Sequence, residues 1–347
     1  MSNRKPTRNL IVPIFIPNQG CPHRCIFCQQ EKITAQSSQT IDASIVNQVI
    51  QNAIDSERFK TRTRREVAFY GGTFTGLPLK RMKELLGTVS PYLKEGVFTS
   101  IRVSTRPDAL DENRLEIMRS AGVSTVELGV QSMDNRVLEI SQRGHSAQDT
   151  VEAVTQLRRY GFNVGIQLMP GLPGDSEENF LKTVDEVVKL GPDMVRLYPA
   201  VVIRGTELAR WYREKRYVPL DLEEAVRICR ESCEHVEREG IPVIRIGLMS
   251  TPSLLREGEI IAGPWHESFG FLVRSSIHQK RIEPYLTGQG EFSQIRIRVP
   301  SREIPLVRGY KNLGVRWIER KTGAMVVGVI PDGSVPLGQI AIDNVST

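Results

Sequence analysis

No stretch of this 347-residue chain is apolar for long enough to span a membrane, and its opening, MSNRKPTRN, lacks the apolar core of a signal peptide. Those two absences predict a cytoplasmic protein with no membrane attachment. Cysteine is scarce too. Five residues, three of them clustered, do not make the framework of a small secreted disulfide fold. Internal repeats and low-complexity tracts are also missing, which leaves a packed globular chain. Hydrophobic content of 40% and charged content of 25% are ordinary for such a chain, and its length suffices for one large α/β barrel plus a smaller appendage.

Against that spare background stand Cys21, Cys25 and Cys28, in GCPHRCIFCQQ. The C-x3-C-x2-C spacing puts three thiolates on one tight loop. Iron-sulfur clusters are normally held by four cysteines, so three leave one iron open to an exogenous ligand, as catalytic metal sites do. A structural zinc completed by His23 or a remote residue, or three cysteines that merely pack, are the alternatives. A reducing compartment suits an oxygen-sensitive cluster. Cys229 and Cys233, four apart, share one helical face. They read as small apolar packing residues, with an auxiliary metal site as the other reading.

Short β-rich runs alternate with amphipathic helical stretches, the pattern of parallel strands joined by crossover helices. Six runs qualify: IVPIFIP from Ile11, EVAFYGG from Glu66, SIRVSTRP from Ser100, TVELGV from Thr125, NVGIQLMPG from Asn163 and MVRLYPA from Met194. A seventh candidate, IPVIRIGL from Ile241, follows the helix-like EEAVRICRESCEHVEREG. In such a fold the active-site groups belong on the loops after the strands. The Gly- and Pro-rich TPSLLREGEIIAGPWHESFG breaks the rhythm. It divides the chain into a barrel over 1–250, a boundary segment over 251–270 and a β-rich, basic domain over 271–347.

The ends of the runs carry polar and glycine residues. AFYGGTFTGL delivers Gly71, Gly72 and Thr73, where glycine lets the backbone approach a ligand closely. VSTRPD brings Ser104, ELGVQS brings Gln131, QRGH brings Arg143 and His145, and GIQLMPGLPG brings Gln167. Each of these also has a plainer reading as a strand-end cap or turn residue, and His145 is either a donor to substrate or a helix cap.

With Phe27 directly before the last cysteine, the cysteine loop resembles the signature of the radical S-adenosylmethionine (SAM) enzymes. The motifs together are similar to the catalytic subunit of Elongator and to the oxygen-independent coproporphyrinogen dehydrogenases. That resemblance implies a partial (β/α)6 TIM-like barrel, with Cys21, Cys25 and Cys28 holding a 4Fe-4S cluster whose fourth iron is chelated by the amino and carboxylate groups of SAM. It further implies one-electron reduction, from a donor such as flavodoxin or ferredoxin, that releases a 5'-deoxyadenosyl radical. The implied cofactor-binding residues are Phe27, then Gly71, Gly72 and Thr73 at the SAM amino group, and Arg143 at its carboxylate, for which a planar guanidinium is suited. Ser104, Gln131 and Gln167 would face the ribose and methionine portions. Thr73 stands where the commoner motif has an acid, and Ser104 and Gln167 where the porphyrin enzymes carry acids. RLYPAVVIRGTELARWY from Arg196 and GPWHESFG with His266 match Elongator closely. No segment has the length or glycine-rich pattern of Elongator's acetyltransferase domain, so its carboxymethyl-forming reaction on wobble uridine is not carried over.

Charge is distributed unevenly. The chain carries a net +6 with a pI of about 9.1, and from Phe271 to Thr347 eleven Lys or Arg face six Asp or Glu. Such a cationic segment can neutralise phosphates, although a solvated basic face with no partner has the same composition. VPSREIPLVRGYKNLGVRWIERKTGAMVV resembles a KH module, with Gly309, Val315, Ile318, Thr322 and Gly323 at KH-like positions. Its loop reads GYKN, Asn312 replacing the second glycine of G-x-x-G, and Tyr310 and Lys311 are placed to contact base and phosphate. A plain α/β appendage on the barrel is the alternative. The leading expectation is a radical SAM enzyme acting on RNA, tRNA foremost, with modification of a base. One alternative is a small-molecule substrate, such as a tetrapyrrole or metabolite, with the tail as a lid. Another is a non-catalytic cluster-containing RNA-binding protein, against which Gly71, Gly72, Gln131 and Arg143 speak, since a structural cluster needs no SAM pocket.

Overall fold

The computed structural model describes residues 9–36, 41–286 and 293–345; the opening segment, read above for a leader, lies almost wholly outside them. Among the described residues no helix is long and apolar enough to cross a membrane. They gather into two compact units. The first runs to Asp221 and resumes over Val236–Trp265, and the second comprises Leu222–His235 and the chain from His266 onward.

The first unit is built on β1 (Leu10–Phe15), β2 (Arg65–Tyr70), β3 (Ser100–Thr105), β4 (Val123–Gln131), β5 (Asn163–Leu168) and β6 (Met194–Leu197), a short β7 (Val202–Ile203), β8 (Val243–Ile246) and β9 (Ile260–Ala262). Six of these strands and β8 pair in chain order into one parallel sheet, β1-β2-β3-β4-β5-β6-β8, which is open because β1 and β8 are not paired. The seventh candidate run therefore extends the six expected strands at one edge. The remaining two, β7 and β9, form a separate antiparallel ribbon.

Alternation along the strands decides what each face of the sheet does. Val67, Phe69, Ile101, Val103, Val126, Leu128, Val164, Ile166, Val195 and Leu197 are completely or almost completely buried. Such side chains are worth about 1.5–3 kcal/mol apiece when fully buried, and they form the face that amphipathic helices such as Leu79–Lys94 and Glu177–Leu190 cover. The positions between them are small or polar, and the charged ones meet on the other face as a network. Arg102 donates to Glu66 Oε2 through Nε (3.1 Å) and Nη2 (2.7 Å), and to Glu127 Oε1 through Nη1 (2.7 Å). The same Glu127 oxygen accepts from Arg196 Nη2 at 2.7 Å and from the Tyr70 hydroxyl at 3.2 Å. Two arginines and two glutamates from β2, β3, β4 and β6 thus neutralise one another beneath the strand ends. Gly165 on β5 makes this possible, since a Cβ there would stand 3.0 Å from Glu127 Cγ.

The second unit contains β10 (Gln294–Val299), β11 (Met325–Pro331) and β12 (Ala341–Asn344), ordered β11-β10-β12, with β11 parallel and β12 antiparallel to β10. Between β10 and β11 run helix Ile304–Arg308, the turn Gly309–Asn312 and helix Leu313–Thr322. The strand, helix, glycine turn, helix, strand order is the one expected. Ile295, Ile297, Val299, Val307, Ile318 and Val329 form its core. In the turn, Lys311 (φ 49°) and Asn312 (φ 61°) are both left-handed. Cys229 and Cys233, on helix Leu222–Arg238, are fully buried.

Candidate functional site

The loop that carries the cysteines is joined to the loop after β2 by main chain packed on main chain. Thr73 N donates to Gln19 O at 2.9 Å. A Cβ on Gly20 would lie 2.1 Å from Thr73 O, one on Gly72 2.2 Å from Gln19 O, and one on Gly76 2.1 Å from Gly20 O. No side chain of any size fits between these backbones. The result sets the buried Thr73 hydroxyl 3.2 Å from Cys21 Sγ, and Cys28 N closes a turn onto Cys25 O at 3.0 Å.

From the opposite side comes Arg143. Helix Asn135–Ile140, capped by Asp134, ends at Ser141, and helix Ala147–Arg159 starts behind the Ser146–Asp149 capping box. The turn between them is left-handed at Gln142 (φ 52°) and Gly144 (φ 71°). It projects the Arg143 guanidinium so that Nη1 reaches Cys25 Sγ at 3.0 Å while Nη2 donates to Gly129 O. At the end of β4 the pairing with β5 shifts register between Gly129 and Gln131. Gln131 is itself left-handed (φ 71°), a conformation that costs a non-glycine residue about 1–3 kcal/mol. Its Oε1 accepts from Gln167 Nε2 at 3.1 Å. An added Cβ on Gly129 would fall 3.0 Å from Gln131 Nε2 and 3.5 Å from Arg143 Nη2, so this glycine is the floor beneath both.

Of the residues singled out from sequence, the structure brings Gln131 and Gln167 into contact, joins Arg143 to Cys25, and joins Thr73 to Cys21. Phe27 is partly buried against Val137, Met169, Leu172 and Ala200. Ser104, beside Glu127 in the β3–β4 register, makes no hydrogen bond to the others among the described residues. His145 is buried with neither ring nitrogen in a well-formed hydrogen bond. Burial and then the charge of Arg143 push its pKa down to about 4, so the ring is neutral. Two further groups went unread in the sequence. One is the Glu66–Arg102–Glu127–Arg196 network, and the other is Arg106 with Asp108, whose only sequence signal was their place in VSTRPD directly after a strand.

The donor set fits an iron-sulfur cluster. All three thiols are free. Burial, followed by the nearness of Cys25 and Cys21, pushes the Cys28 thiol up to about 12, partly offset by Gln30 and Arg143. A cationic centre bound there takes its cysteines as thiolates and displaces their protons. A single ion suits them less. Among the described residues no three His, Cys, Asp or Glu side chains converge on one ion position, whereas each thiolate of a cluster binds its own iron. Of the fourth ligands open to the zinc alternative, His23 has its Nε2 engaged, 3.1 Å from Arg143 O and 3.2 Å from Arg106 Nη1.

Comparison with known proteins agrees with this geometry. The model of the radical SAM superfamily matches residues 15–187, and that of the Radical_SAM C-terminal domain matches residues 192–279. An uncharacterised protein of Methanocaldococcus jannaschii is 31% identical over 234 residues, covering 65% of this chain and 71% of that protein. The tRNA uridine(34) acetyltransferase of the same organism is 29% identical over 266 residues, covering 65% of this chain and 49% of that enzyme. This chain therefore spans about half the length of that acetyltransferase. The solved structure of archaeal Methanocaldococcus infernus Elp3, with its N-terminus (1–46) deleted, superposes with a TM-score of 0.61 at 25% identity, over 78% of this chain and 63% of that one. With its family models matched end to end from the cysteine loop through the barrel, the chain belongs to the radical SAM superfamily, whose cofactors are a 4Fe-4S cluster and SAM, and it is an enzyme of that superfamily.

Proposed function

We propose that Cys21, Cys25 and Cys28 hold the 4Fe-4S cluster, that SAM binds its open iron, and that the enzyme modifies a base in RNA, most specifically tRNA. When bound, the cluster supplies the electron for reductive cleavage of SAM to a 5'-deoxyadenosyl radical. The chain's own residues bind and orient. Arg143 offers a fork for the SAM carboxylate. Gln131 and Gln167, already bonded to each other, present amides at the strand ends, with Ser104 deeper on the same face. Gly71 and Gly72 bring main chain, and Thr73 a hydroxyl, to the cysteine side. Phe27 closes the apolar side and excludes water. A flavodoxin or ferredoxin in the cytoplasm would deliver the electron.

The observation that carries the RNA reading is the uncompensated charge of the second unit. Arg302, Arg308, Arg316 and Arg320 are exposed and form no ion pair with any described residue, and Lys311 only lies over the Tyr310 ring, 5.2 Å from its centre. Arg316 and Arg320, four apart, share one face of helix Leu313–Thr322. Cations that neutralise no carboxylate at home are available to phosphates. The glycine turn between the two helices, with two left-handed residues in a row, fits the KH-like reading of the same segment. Similarity of the barrel to a tRNA-modifying enzyme points the same way. The test is anaerobic reconstitution with iron and sulfide, then dithionite and SAM, with 5'-deoxyadenosine measured with and without bulk tRNA. Production that rises with tRNA, and not with nuclease-treated tRNA, supports the proposal. Production indifferent to tRNA redirects the search to small molecules, and none from a fully loaded protein refutes radical chemistry.

A further inference from the structure

Beside the cysteine loop lies a polar assembly with no place in the scheme above. Arg106, directly after β3, is 5% exposed. It grips Asp108 in a two-pronged pair, Nε to Oδ1 at 2.9 Å and Nη2 to Oδ2 at 2.8 Å. Its remaining Nη1 points at His23 Nε2, 3.2 Å away. His23 sits between Cys21 and Cys25 in the chain, and the same nitrogen is 3.1 Å from Arg143 O. A guanidinium only donates and a carbonyl oxygen only accepts. With the ring proton on Nδ1, Nε2 accepts from Arg106; with it on Nε2, the ring donates to Arg143 O. Either tautomer finds a partner, so the ring is held in both. Below it, Gly144 has no side chain, and a Cβ there would stand 2.5 Å from His23 Cε1.

We infer that Arg106, oriented by Asp108, is a positioning residue that fixes the cysteine loop through His23 and so sets the retention of the cluster. The bidentate carboxylate defines the plane of the guanidinium. The guanidinium defines where His23 lies, and His23 divides the C-x3-C interval. Outer partners of this kind hold ligands in their binding geometry, and losing one typically costs about 10–100-fold in metal affinity or activity. The inference rests on the reading that the three cysteines hold the cluster.

The test uses the full chain, reconstituted anaerobically, and follows the loss of the cluster's visible absorbance to an iron chelator. Arg106→Gln and His23→Ala should each bleach at least about tenfold faster than the parent. Arg106→Lys should bleach as fast as Arg106→Gln, since it keeps the charge and loses the fork. The double variant should bleach no faster than His23→Ala, because Arg106 acts through that ring. Arg196→Gln, which loosens the interior network without touching the loop, should bleach at the parental rate, and this separates positioning from general loss of stability. Asp108→Asn, the milder change, serves if Arg106→Gln fails to fold. Parental retention in Arg106→Gln, or full additivity in the double variant, overturns the inference and leaves the cysteine assignment standing. A cluster that assembles at full occupancy on Cys25→Ala overturns the assignment itself.

Discussion

Replacing Glu127 by glutamine tests whether the polar face of the sheet is held by charge. Glu127 is 5% exposed, and its Oε1 receives Arg102, Arg196 and Tyr70 together. The amide keeps an oxygen in that place, removes the charge and puts an NH2 in place of Oε2. Arg102 retains Glu66, so the charge left without a carboxylate is that of Arg196, whose side chain is 16% exposed. Breaking a buried ion pair by removing one partner costs about 3–5 kcal/mol, and the residual exposure of Arg196 places the expected loss near the lower end, at about 3 kcal/mol. Amide hydrogen exchange would read this directly. Protection in β4 and β6 should fall on the order of a hundredfold, since 1.4 kcal/mol is about tenfold. Adding Arg196→Gln should restore much of it, with a coupling of about 1–3 kcal/mol between the two changes. A loss below about 0.5 kcal/mol, or two changes that simply add, would refute the account of the network.

Asp175 supplies a pH test. Its Oδ2 is buried without a partner, and burial lifts its pKa from 3.8 to about 6. The folded state thus takes up the proton first, and stability should rise as pH falls from 7 through 6 towards 4. Asp175→Asn should be about 2 kcal/mol more stable than the parent in urea at pH 7.5, an advantage that fades near pH 4; an advantage constant with pH would refute this. For the second unit, removing Arg316 and Arg320 together should flatten the slope of log affinity against log salt for single-stranded RNA by about 1.4, at about 0.7 per cation. An unchanged slope would take that helix face out of the RNA contact. Gly72→Ala should cost about 3 kcal/mol or more, because its methyl would meet the carbonyl oxygens of Gln19 and Ile16 at 2.2 and 2.6 Å; a parental unfolding midpoint would show that the two loops can part.

What the sequence revealed and what it hid divide along the separation of the partners. The cysteine spacing, the strand runs and the polar residues at their ends are local patterns. The partners of the inward residues are not local. Glu66 meets Arg102 from 36 positions away, and Arg106 meets His23 from 83, so composition and periodicity carry no trace of either pairing. The left-handed backbone of Gln131 was equally hidden, because nothing about glutamine favours it. The turn of the second unit was more legible, since Asn312 tolerates the left-handed conformation it adopts (φ 61°). Grouping the stretch Leu222–His235 with the chain from His266 onward required the fold itself.

The main-chain junction at Gly20, Gly72 and Gly76 bears on how this enzyme can be changed. Its closest approaches involve carbonyl oxygens and not side chains, so they are indifferent to the identity of nearly every neighbour. In a saturating substitution library selected for cluster retention, the three glycines should stand out as sharply as the three cysteines, while residues around them vary. A designer who wished to retune the substrate could thus rewrite side chains other than those assigned to the cluster and SAM, provided that this seam of bare backbone is left untouched.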